Sequence, residues 1–344
     1  MDGQLELGVL DQSPLRKGGN ATDALKDTVR LAQTADRLGY SRFWVAEHHN
    51  SSTFVGTSPE ILIGQILANT NQIKVGSGGV LLTHYSALHA AEQFKVLESF
   101  YPGRVEMGIG RAPGGGELTT RALTHPKLQP EENVFPDQVS DLVGFLKGTL
   151  PDTHDFASLH AQAGPPSVSA PQVWLLGSSD VSAKLASQLG LPYAYADFFG
   201  DIREKGPSIA QAYRDNFQPS ALFPEPQVLL ALQVMCAPTQ EQADYLGASR
   251  NLHKAAFVMD APREGLLPPG EALDFPLSEK AVEWQRKFRA GYIDGDPFTV
   301  KNEIIDVAKT YGADKVGIVT ITYDIEDKIR SYALIAQAFG LATD

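Results

Sequence analysis

"LELGVLDQSPLRKGGNATDALKDTVRLAQTADRLGY", residues 5–40, contains the unit from which the fold can be read. A short apolar run, 5–10, is followed by a polar loop rich in Pro and Gly. Leu25, Val29, Ala32 and Ala35 then recur at helical spacing, so the order is strand, loop, helix. Asn20 or Thr22 is placed to cap the first orphan N–H groups of that helix, and Gly39 tolerates the left-handed turn that ends it. Strands are expected at 42–46, 73–82 and 105–109, followed by helices at 59–70, 87–100 and 135–146. The alternation resumes with strands at 172–176 and 193–196 and helices at 181–189 and 209–216. "QVLLALQVMCA", 227–237, reads as a buried seventh strand, and "ADKVGIVTITY", 313–323, as an eighth, after a helix at 299–311. The last helix is capped by Asp324 and stopped by Gly340. Short strands without polar alternation are those of a parallel sheet covered by helices. Eight of them in one chain point to an α/β fold, a single-domain (β/α)8 TIM barrel spanning 1–344.

Three segments interrupt the alternation. Irregular excursions are expected around 111–134 and 150–171, and an insertion around 238–298. The insertion is longer than the 2–6 residues typical of a βα loop, and so needs structure of its own. Its 241–259 part has helical character, whereas "DAPREGLLPPGEALDFP", 260–276, reads as a loop. A lid over the barrel mouth and a purely structural insertion are both consistent with that pattern.

Composition narrows the function. With 344 residues and a formal charge of −12, the chain would repel phosphate backbones, which argues against nucleic-acid binding. No apolar run reaches the ~20 residues of a membrane helix, and the start, MDGQLELG, has no basic segment before an apolar one. Cys236 is the only cysteine, so no internal disulfide forms, and a cytoplasmic location is the expectation.

Barrel enzymes place their chemistry at the C-terminal ends of the strands. "FWVAEHHNSS", 43–52, ends the second strand in Glu47, His48 and His49. His48 can act as acid or base near neutral pH, with Glu47 orienting it; hydrogen-bonded capping of the strand end is the structural alternative. In an extended segment His49 would face away from His48. No HExxH or other ligand spacing accompanies them, so no metal is expected. In "VGSGGVLL", 75–82, three glycines permit a bulge or the close approach of a flat ligand. "GRVEMGIGRAPGGGE", 103–117, fails the dinucleotide fingerprint, and its Arg111 reads as a planar donor for an anion, or as half of a surface salt bridge. In "WLLGSSDVSAKLA", 174–186, Gly177, Ser178 and Ser179 lead into a helix and make either an anion site or an ordinary N-cap.

In this order, "LGVLDQSP", "FWVAEHH", "VGSGGVLLTHYSALHAAEQFKVLESFYPGRVEMGIGRAPGG" and "LLGSSDVSAKLASQLGLPYAYA" resemble the bacterial luciferase-like flavin-dependent monooxygenases, in particular the single-chain, alkanal monooxygenase-like group. The resemblance is strongest over 7–115 and 172–196. It implies a barrel that takes reduced FMN from a separate NAD(P)H-flavin reductase and uses O2 to oxygenate a small, apolar aldehyde, ketone or similar compound. The family's histidine falls on His48, its non-proline cis peptide on Gly78-Gly79, its phosphate arginine on Arg111 and its phosphate loop on Gly177, Ser178 and Ser179. A homodimer is implied too, and the apolar "SPEILIGQILANT" and "SALHAAEQFKVLESF" helices suit such an interface. Close members often carry a histidine after the sixth strand, where this chain has Phe198. A deazaflavin-dependent oxidoreductase of the same fold and a flavin-binding protein without turnover are the alternatives.

Overall fold

The computed structural model describes residues 5–126, 133–161, 169–199, 201–220, 223–259 and 264–341. The chain begins β1 (Glu6–Asp11), α1 (Ala21–Arg37), β2 (Arg42–Val45), α2 (Pro59–Leu67), β3 (Lys74–Leu81), α3 (Ala87–Phe100) and β4 (Val105–Gly110). It continues through α4 (Glu117–Thr124), α5 (Phe135–Lys147), β5 (Gln172–Gly177), α6 (Asp180–Gln188), β6 (Tyr193–Ala196), α7 (Gly206–Asp215) and β7 (Val228–Cys236). Then follow α8 (Gln240–Ala255), α9 (Pro269–Leu273), α10 (Glu279–Arg289), β8 (Ile293–Gly295), α11 (Pro297–Tyr311), β9 (Lys315–Val319) and α12 (Ile325–Phe339).

β1 to β7 and β9 pair in parallel, each with the next, and β9 closes onto β1. The result is the expected eight-stranded barrel. Both faces of its strands are buried, for two different reasons. Phe43, Val45, Leu230 and Leu232 point outward to the helices, whereas Trp44, Leu229 and Ala231 alternate with them and fill the interior alongside Leu10 and Trp174. That is why the strands read as unbroken apolar runs.

The interior is closed at its lower end by a buried polar plug. Glu106 accepts from Arg42 Nε at 3.2 Å and Trp44 Nε1 at 2.7 Å, and the Arg42 guanidinium lies 5.7 Å from the Trp174 ring. With that end filled, the open space lies at the other.

The predicted α1 caps are present: Asn20 accepts from Asp23 N, and Gly39 adopts φ +79°. Several elements differ from the sequence expectation. The 111–134 excursion contains α4, and the insertion contains α9, α10 and β8; parts of these segments and of the 150–171 excursion, at 127–132, 162–168 and 260–263, lie outside the described residues. α9 is a five-residue turn begun by prolines, too short for periodicity to register, and β8 is three residues whose only reason to extend is the end of β7 beside it. The eighth barrel strand is therefore β9. The insertion is also tied down elsewhere: Leu266 N donates to Leu15 O at 2.8 Å, and Lys17 N donates to Leu266 O at 2.7 Å.

Candidate functional site

A cavity of about 2000 Å³ opens at the C-terminal ends of the strands, and its lining includes every residue singled out from the sequence: Glu47, His48, Gly78, Gly79, Arg111, Gly177, Ser178 and Ser179. Its floor is where β3 meets β4. The register shifts between Gly78 and Val80, and the Gly78-Gly79 peptide is cis. A Cβ on Gly78 would run into Leu10 and one on Gly79 would sit 2.7 Å from Gly108 O, so no larger residue fits this floor without moving its neighbours.

Glu47 and the histidines depart from the sequence expectation. The Glu47 carboxylate accepts from Leu81 N at 2.9 Å and from the Tyr85 hydroxyl at 2.6 Å, and its Oε1 lies 2.7 Å from His49 Nε2. It therefore orients His49, not His48, and ties the end of β2 to the end of β3. Burial, and then its bond to Glu47, push the Tyr85 hydroxyl pKa up, so it stays a donor. Both histidines belong to the cavity lining, the His48 ring against Phe54 and the His49 ring against Glu47 and His84. β2 ends at Val45, the two backbone N–H groups bond to different loops (Gly56 O and Gly114 O), and Asn50 turns left-handed at φ +49°. Strand alternation no longer applies there.

His48 packs its ring 4.9 Å from that of Phe54, and its Nδ1 is buried without a hydrogen-bond partner. Burial, then the Lys254 ammonium and His49, lower its pKa to about 4. The acid-or-base expectation narrows accordingly: at neutral pH the ring is uncharged, able to take or give a proton as a neutral imidazole but not as a standing cation.

At the other end, Arg111 follows β4 and is exposed to the cavity. No carboxylate among the described residues pairs with it, so the surface-salt-bridge alternative does not apply. Beside it Gly110 has no atom within 4 Å of where a Cβ would stand. α6 begins at Asp180 after Ser179, whose side chain makes no capping bond. A Cβ on Gly177 would collide with Ser182, whose hydroxyl folds back onto Ser179 O at 2.9 Å. Ser179 is thus not an ordinary N-cap, and the start of α6 and Arg111 both belong to the cavity lining. Together these groups suit a phosphate.

Sequence reading missed the residues that wall the mouth: Phe54, His253 and Lys254. The rings of Phe54 and His253 meet edge to face at 5.1 Å, and Phe198 joins the same apolar cluster as Phe54. His253 and Lys254 lie on α8, inside the insertion. Helical periodicity shows that a helix exists there but not which barrel loop its last turn reaches.

Comparison with known proteins agrees with this geometry. The family model for luciferase-like monooxygenases matches residues 5–312. The YwcH protein of Bacillus subtilis (strain 168) is 41% identical over 98% of this chain and 99% of its own. The N-acetyl-S-alkylcysteine monooxygenase of the same strain is 34% identical over 97% of this chain and 98% of its own. The crystal structure of apo-MsnO8 superposes with a TM-score of 0.86 at 35% identity, covering 98% of this chain and 99% of that one.

The depressed His48 pKa has a measurable consequence. An unfolded histidine takes up a proton near pH 6.5 and this folded one only near pH 4, so the unfolded chain binds more protons between those values and stability falls as the pH drops through that window. The expected loss from this group is on the order of 3 kcal/mol. Denaturant unfolding of the wild type and of His48→Gln from pH 7.5 to 4.5 should give curves that converge as the pH falls; parallel curves would refute the assignment.

Proposed function

Because the chain belongs to the luciferase-like monooxygenase family, we propose that it is a two-component, FMN-dependent monooxygenase, which receives reduced FMN from a separate NAD(P)H-flavin reductase and oxygenates a small organic substrate with O2. One observation supports this above the others. A single cavity brings together a glycine floor, an anion-binding end and a neutral, partnerless imidazole from four different strand ends.

The residues fit the cofactor. Arg111 and the N–H groups around Ser178 and Ser179 would hold its phosphate, and the Gly78-Gly79 floor admits a flat ring where any Cβ would close the space. When bound, reduced FMN supplies the oxygen activation that no side chain can. A 5-deazaflavin would satisfy the same phosphate groups but does not react with oxygen in this way, so FMN is the reading that matches a monooxygenase. The chain's own contribution is positional and protic. Arg111 and the phosphate loop set the ring's place, Phe54 and Phe198 exclude water from the substrate side, and the His48 imidazole exchanges a proton with the reacting group. Aldehydes and ketones remain candidate substrates, and the relative named for N-acetyl-S-alkylcysteine adds thioethers.

No helix among the described residues is long and apolar enough to cross a membrane, and we place the enzyme in the cytoplasm with its reductase. We also propose a homodimer through α2 and α3, where Ile61 is 72%, Val96 44% and Phe100 74% exposed. Light scattering at micromolar concentration should report twice the chain mass, and a monomer there would refute the dimer.

Two variants separate cofactor binding from chemistry. Loss of a charge-assisted contact costs about 1.5–3 kcal/mol, so Arg111→Ala should weaken FMN binding roughly ten- to a hundredfold. Unchanged affinity would remove Arg111 from the phosphate site. His48→Ala should bind FMN as the parent does, yet lose ~100- to 10,000-fold in product formation with reduced FMN and O2 saturating. Parental turnover of a verified substrate in that variant would leave His48 a packing residue only.

A further inference from the structure

β1 leaves the barrel through "LDQSP", 10–14, whose middle residue lines the cavity and has no part in the flavin reading. Side chains alternate along a strand. Leu10 belongs to the interior cluster with Phe54 and Phe198, whereas the Asp11 carboxylate turns toward the helices, where it accepts from the Thr28 hydroxyl of α1 at 2.8 Å and from the Lys328 ammonium of α12. Gln12, next in the alternation, returns to the side of Leu10 and joins the cavity lining. Among the described residues its carboxamide makes no hydrogen bond with the protein.

The backbone is fixed on both sides of Gln12. Ser13 stands in the left-handed region at φ +48°, held there by its N–H on the Asp11 carboxylate at 3.1 Å and by its carbonyl, which accepts from Val55 N at 3.0 Å. A residue other than glycine keeps that conformation only where its surroundings enforce it. Ala46 N donates to Asp11 O at 2.9 Å, so Gln12 leaves β1 beside the end of β2 that carries His48. Leu15 N donates to Thr53 O at 2.7 Å and ties the following loop to the Phe54 segment. The carboxamide is thus presented from an anchored backbone.

The groups assigned to the flavin lie on other strands: the glycine floor on β3, Arg111 after β4 and the phosphate loop after β5, with β2 between them and β1. What meets Gln12 therefore belongs to the molecule that enters beside His48. A carboxamide offers a donor and an acceptor on one edge. A lone aldehyde or ketone oxygen would pair with the donor and leave the acceptor dry among Leu10, Phe54 and Phe198, and a carboxylate would set a second acceptor against the first. A primary carboxamide or a lactam satisfies both atoms at once. We propose that Gln12 is a specificity-determining residue that pairs with the primary carboxamide or lactam edge of a small, otherwise apolar substrate. This rests on the monooxygenase reading and deepens it, since it adds a neutral polar edge to a substrate whose hydrocarbon body lies against Phe54 and Phe198.

Calorimetry on FMN-loaded protein tests this with ε-caprolactam, compared with its N-methyl derivative and with ε-caprolactone, which keep the ring and the carbonyl but lack the N–H. The lactam should bind about ten- to a hundredfold more tightly than either. Gln12→Met should erase that preference and leave FMN affinity as in the parent. Equal affinities for the wild type, absence of lactam binding, or a preference that survives Gln12→Met would overturn the proposal. So would a loss of FMN affinity in Gln12→Met, which would assign the carboxamide to the imide edge of the flavin instead. The wild-type comparison stands even if Gln12→Met fails to fold. An FMN titration without lactam tests the underlying reading separately. Should FMN not bind, the lactam comparison is still readable in flavin-free protein.

Discussion

The approach of β3 to β4 is the constraint on which the rest of the site depends. A Cβ on Gly76 would stand 2.5 Å from Glu106 O, one on Gly79 would stand 2.7 Å from Gly108 O, and one on Gly108 would meet Ser77 O. Only hydrogens fit between these backbones, so the two strands run closer than side chains would allow. The register shift at Gly78 and Val80 follows, and it turns the backbone N–H of Leu81 toward Glu47. One steric condition thus creates a flat floor and fixes the end of β2 beside it.

Above that floor the cavity has two chemically different ends. The end near β4 and β5 is built from main-chain N–H groups and one exposed guanidinium, and suits an anion that arrives and leaves. The end near β2 is built from rings and a packed ammonium, and suits a body that must be kept from water. His48 stands in the second environment, which is why its ring is neutral. Glu47, one residue away, spends both carboxylate oxygens on Leu81, Tyr85 and His49 and contributes architecture to the mouth.

The insertion brings the last turn of α8, with His253 and Lys254, to the mouth of the cavity. Within it a buried Arg250–Asp294 pair ties α8 to β8, and the β7–β8 pairing and the bridge at Leu266 join it to the scaffold. Burying such an ion pair adds little net stability compared with apolar packing, whereas breaking it would strand a charge. Its value is geometric, since it sets where the last turn of α8 lies.

By itself the sequence determined the eight strands, most of their helices, the caps at Asn20, Gly39, Asp324 and Gly340, and the strand-end motifs that meet in the cavity. These follow from periodicity, from turn residues and from the rule that a parallel barrel gathers its C-terminal ends, all of which act locally or through chain order. α9 and β8 escaped because at five and three residues they are too short for periodicity to register, and α4 and α10 lie within segments read as an excursion and an insertion. Only the tertiary structure decided that Glu47 grips His49 instead of His48, and that Lys254 comes near His48 from an insertion roughly two hundred residues further along the chain. The physical reason is the same in each case. Hydrogen-bond partners, burial and charge neighbours depend on which backbones close packing brings together, and no spacing along one chain encodes that directly.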